Sequence, residues 1–138
     1  MSINQGEIWA ELRTICEEAL QALAQQVTTV WPQFHFQSGD SSNPAFPLGL
    51  WGSFTHKQME NREGVDVSID FRWDKDVVEV IADVAYESGQ ILSESPAQYI
   101  PLREDGGIAA DTAYEVARRI SKYVRAQWEL IGTALCKE

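Results

Sequence analysis

A chain of 138 residues with 44% hydrophobic and 23% charged residues has the size of one domain with a single core, and is too apolar to remain disordered. Its 21 Asp and Glu against 11 Lys and Arg leave a net charge of −10, which works against binding to nucleic acid phosphates or anionic membranes and favours a basic partner surface. No apolar run approaches the roughly 18 residues of a spanning helix. Met1–Glu7 lacks the basic start and apolar stretch of a secretory signal, so the expected setting is a reducing cytoplasm in which Cys16 and Cys136 are free thiols.

Ile8, Leu12, Ile15, Cys16, Ala19, Leu20, Leu23, Val27 and Val30 recur at three- and four-residue steps, which predicts a helix over Glu7–Trp31 with one buried face. Cys16 lies on that face and reads as an inert core thiol. Pro32 stops the helix, because proline donates no hydrogen bond and pushes its predecessor out of the helical region. Phe34 and Phe36 suggest a short strand. Gln37–Pro47 is dense in turn formers and reads as the longest loop.

From Leu48 the pattern becomes period two, with Leu48, Leu50 and Phe54 on one face and Trp51, Ser53 and Thr55 on the other, ending near Lys57. The next strand is clearer: Val65, Val67, Ile69, Phe71 and Trp73 alternate with Asp66, Ser68, Asp70 and Arg72. Asp74-Lys75-Asp76 turns the chain into Val78–Tyr86, whose even-numbered residues are the apolar set. The register of this hairpin follows from charge. A pairing sum of 149 sets Asp70 against Glu79 and Asp66 against Asp83, whereas 151 sets Arg72 against Glu79 and Trp73 against Val78, so 151 is chosen. Ile91–Glu94 reads as a short edge strand, and Tyr99–Leu102 as extended, with Pro101 excluding a central position. Gly106-Gly107 opens a final helix predicted over Ile108–Leu135, with Ala113, Val116, Ala117, Ile120, Val124 and Ile131 on its buried face. The expected fold is α+β: a two-layer sandwich in which an antiparallel sheet of four or five strands carries both long helices on one face.

Charge is concentrated in the sheet region. Residues 60–105 carry −8, against −3 for residues 1–59 and +1 for residues 106–138. Asp66, Asp70, Glu79 and Asp83 leave the hairpin on its solvent side, and Trp51 is the one tryptophan placed on a face opposite apolar neighbours. Together they read either as a solvated sheet face or as a docking surface in which an aromatic anchor sits beside an acidic field. The remaining tryptophans fit structural packing.

Nothing supports catalysis. His35 and His56 lack the further ligands of a zinc site, and no nucleophile elbow, Walker loop or dinucleotide fingerprint is present. No cofactor or metal is expected. Arg118, Arg119, Lys122 and Arg125 form a stripe on the last helix that is either solvated or meets an acidic surface, including that of a second copy in a homodimer.

In size, charge and mixed α+β content the chain resembles nuclease inhibitors, immunity proteins and acidic secretion chaperones, with no motif in common. That implies a small acidic binding module that docks Trp51, Asp66, Asp70, Glu79 and Asp83 on a basic protein. The alternative is a small-molecule binding module or enzyme with a pocket between helices and sheet, lined by Trp9, Phe34, Phe54, Phe71 and Trp128.

Overall fold

A computed structural model describes residues 5–41, 47–59, 61–105 and 107–136. The order of elements is α1 (Gln5–Val30), β1 (Phe34–Asp40), β2 (Leu48–His56), β3 (Val65–Asp74), β4 (Val77–Tyr86), β5 (Ile91–Glu94), β6 (Gln98–Pro101), α2 (Ala110–Arg125) and α3 (Trp128–Cys136). The antiparallel sheet runs β1-β2-β3-β4-β5, and β6 also pairs with β4. This is the α+β sandwich expected, with one more strand and a broken last helix.

The helices cover one face because their apolar stripes have only that surface to bury against. Ile8, Leu12, Cys16, Leu20, Leu23 and Val27 of α1 and Ala113, Val116, Ala117, Ile120 and Val124 of α2 meet Leu50, Phe54, Val65, Val67, Ile69, Phe71, Val78, Val80, Ala82 and Val84, all buried. Each large aliphatic or phenyl side chain so enclosed is worth about 1.5–3 kcal/mol. Arg13 Nη2 meets Asp40 Oδ2 at 2.7 Å and ties α1 to β1.

The β3–β4 hairpin has the expected register, with Trp73 opposite Val78, Arg72 opposite Glu79 and Ser68 opposite Asp83. Lys75, in the two-residue turn, takes a positive φ of 56°. Beyond β5 the chain leaves β4 and returns as β6, and Ser95 spans the gap. Its N–H donates to the Ala82 carbonyl at 2.8 Å, and its Oγ accepts from the Ala82 N–H at 3.0 Å. That role explains why Ser95 is buried.

Four expectations need correction. The expected single helix over Ile108–Leu135 is two: Ile108 forms an isolated bridge with Leu102 instead, and α2 starts at Ala110. The break follows Arg125. Gln127 N–H donates to the carbonyl of Val124 at 3.1 Å rather than to Tyr123, and the Gln127 side-chain amide takes over the Tyr123 carbonyl at 3.1 Å. Strand β1 continues to Asp40 and so occupies the start of the expected loop, of which residues 42–46 lie outside the described residues. Trp73 points to the core side but remains 42% exposed at the hairpin tip, where its described ring contact is edge-on to Trp9 of α1 at 5.8 Å. Val30, in the last turn of α1, is likewise exposed. Gly106 lies outside the described residues.

Candidate functional site

With all three helices on the inner face, the outer face of the sheet carries no covering element among the described residues. Strand alternation sends Trp51 of β2, Asp66 and Asp70 of β3, and Glu79 and Asp83 of β4 to that side. The registers then place them relative to one another. One row crosses five strands as Gly39, Trp51, Ser68, Asp83 and Glu94. Asp66 and Asp70 flank Ser68 along β3, which puts each diagonal to Trp51, at a spacing of about 7–8 Å typical of such neighbours.

Trp51 is 37% exposed. Its indole lies across β1 above Gly39, where a Cβ would come within 2.7 Å of Trp51 Cζ2. Only glycine leaves the ring room to lie flat there. Trp51 is therefore partly solvent-facing and partly covered, with β1 as the cover.

The carboxylates differ in their surroundings. Asp70 is pushed above its usual range by partial burial first and by the charge of Asp83 second, with Arg72 offsetting part of this. Asp83 is raised by burial first and then by Glu94, directly opposite on β5. Glu79 is different: Arg72 Nη2 holds its Oε1 at 3.0 Å, and its side chain is only 15% exposed. Of the five residues read from the sequence, Glu79 is thus already engaged, while Asp70 and Asp83, on the same face as Trp51, keep charge that Arg72 relieves only in part and only at Asp70.

Sequence reasoning missed three neighbours. Tyr99, opposite Glu79 on β6, and Ile91, opposite Ala85 on β5, are half exposed on the same face. Glu94 adds a carboxylate beside Asp83. Their placement depends on which part of β4 each short strand joins, and no local pattern gives that.

The other expected sites are placed as follows. Cys16 is buried, and burial first, with Glu17 second, pushes its thiol up to about 12, so it stays protonated. Cys136 is exposed. No group of three or more His, Cys, Asp or Glu is arranged to hold a metal among the described residues. Arg119 pairs with Glu115 and reaches Gln98 Oε1 at 3.2 Å, and Arg125 Nε donates to Ser121 Oγ at 3.2 Å. Of the aromatic residues expected to line an inner pocket, Phe54 and Phe71 are fully buried, Trp9 meets Phe71 edge-on at 6.1 Å, and Trp128 lies 6.3 Å from Trp31. Phe34 alone of the five lines a described cleft, and that cleft opens at the end of the sheet. Among the described residues no helix is long and apolar enough to cross a membrane. No protein-family model, no characterised protein and no solved structure matches this chain.

Proposed function

We propose that this protein is a binding module that docks the open acidic face of its sheet on a basic protein, in the manner of an inhibitor or immunity protein occupying a cationic site. The observation that carries this reading is the acidic charge around Trp51, relieved only in part by Arg72: Asp70 and Asp83 are partly desolvated and face other carboxylates, so in the free protein their ionised forms are held at a cost. A cationic partner removes that cost at the moment of contact, which makes the same residues a source of affinity. Trp51 supplies the amphipathic anchor that such contacts use, and Tyr99 and Ile91 extend the apolar share of the surface.

The test starts from proteins retained by the purified chain and by its Asp70→Lys/Asp83→Lys form, followed by binding measurements with the purified partner at low and moderate salt. The expected result is a basic protein whose affinity falls with salt and falls by about two orders of magnitude on charge reversal, the scale of a desolvated charge pair. Equal binding by both forms, or no basic protein retained, overturns the proposal.

A further inference from the structure

A surface of different character lies at the end of the sheet where β1 begins and β2 ends. A cleft of about 530 Å³ opens there, lined by Pro32, Phe34, His56, Lys57, Met59 and Arg62, together with Gln33, Gln58 and Cys136. No Asp or Glu is among these residues, although carboxylates outnumber Lys and Arg by 21 to 11 in the chain. A second depression of about 550 Å³ adjoins it, shares His56, Lys57, Met59 and Arg62, and adds His35, Thr55 and one carboxylate, Glu87. The volume lies within the range of about 300–1,000 Å³ of small-molecule sites, and the mixture of an apolar wall with a few convergent polar groups is their usual composition.

His56 supplies a second, independent observation. It ends β2 opposite Phe34, with the rings edge-to-face at 4.9 Å. Its Nε2 is shut off from water and has no hydrogen-bond partner among the described residues. Buried polar atoms are nearly always paired, so this nitrogen is an exception that calls for a partner. Because it is shielded, a ligand reaches it only if a lining side chain moves. Met59, 48% exposed and lining both depressions, is unbranched and suited to swing aside.

We propose that this cleft binds a small amphipathic carboxylate, with its aromatic or alkyl body against Pro32, Phe34 and Met59 and its carboxylate toward Lys57 and the Nε2–H of His56. The apolar wall argues against a bare inorganic anion, and the Lys57 ammonium beside the unpaired His56 nitrogen argues against a neutral ligand. The site lies apart from Trp51, Asp70 and Asp83, so it stands or falls independently of the docking face.

The experiment is a titration of the full chain followed by two-dimensional NMR, with 4-phenylbutyrate as probe and 4-phenylbutanol and inorganic phosphate as matched controls. Saturable shifts are expected at Phe34, His56, Lys57 and Met59. The alcohol, and 4-phenylbutyrate with the Lys57→Glu variant, are each expected to bind about tenfold more weakly, the loss that follows from one charge-assisted contact. Lys57 is exposed, so the variant keeps the fold, and unchanged amide dispersion verifies this. The Asp83→Lys variant is expected to bind the probe like the wild type. Absence of saturable binding, equal binding of the alcohol or of phosphate, or an unchanged affinity in Lys57→Glu overturns the proposal.

Discussion

Asp70 and Asp83 tie stability to function with opposite signs. Both carboxyls titrate above the 3.8 of an unperturbed aspartate, so the folded state binds protons more readily than the unfolded chain between 3.8 and the raised value. Their penalty is therefore absent below pH 3.8, grows as pH rises through that window and is complete above it. Asp83→Asn is expected to raise the melting temperature at neutral pH, with a gain that disappears below pH 3.8, as thermal unfolding across pH would show. A carboxylate held in favourable ion pairs would give the opposite result. Ser95 is the contrasting case, a polar residue that is entirely structural. Removing its Oγ in Ser95→Ala leaves the Ala82 N–H buried without an acceptor, a loss of about 1–3 kcal/mol measurable by denaturant unfolding.

At the scale of elements, the junction between α1 and α3 depends on a residue with no side chain. A Cβ at Gly132 would lie 2.0 Å from Cζ3 and 2.2 Å from Cη2 of Trp31. Gly132→Ala gains about 1 kcal/mol of helix propensity, yet forcing a methyl into that contact costs typically 1–3 kcal/mol, so a net loss of stability is expected. Trp31→Phe removes the overlapping ring atoms, and the double variant is expected to be less destabilised than the sum of the single ones, as a double-mutant cycle would show. This junction also marks where sequence reasoning stops. The alternation of β3 and β4, together with the avoidance of like charges across them, was enough to set their register and to put Asp66, Asp70, Glu79 and Asp83 on one face. Those constraints act between residues close in sequence. The break at Ala126-Gln127 contains neither glycine nor proline and is made from good helix formers. It is accompanied by packing of Trp128 near Trp31, a contact across nearly the whole chain. The same holds for the neighbours of Trp51: Gly39 and Ser68 come beside it through pairings on both edges of β2, and Cys136 joins the His56 cleft only because α3 folds back.

Across the whole molecule acidic and basic side chains are unevenly distributed. The open sheet face is acidic, and the exposed side of α2 carries Arg118, Arg119, Lys122 and Arg125. Two copies joining these surfaces would meet head to tail, a contact whose rotation decides between a closed ring and an open chain, and a net charge of −10 works against it. The same net charge bears on folding. Salt weakens the exposed ion pairs Arg13–Asp40, Arg119–Glu115 and, in part, Arg72–Glu79, but exposed pairs contribute only about 0–1 kcal/mol each. Salt also screens the repulsion of Asp83 with Asp70 and with Glu94, its neighbours across the sheet. With nearly twice as many acids as bases, repulsion is the larger effect. The melting temperature is therefore expected to rise between roughly 0.02 and 0.3 M sodium chloride, and to rise less steeply in Asp83→Lys, where the like-charge contacts with Asp70 and Glu94 both become attractive. A melting temperature that falls with salt would mean that the ion pairs outweigh the acidic face, and would remove the stored repulsion on which docking to a basic partner draws.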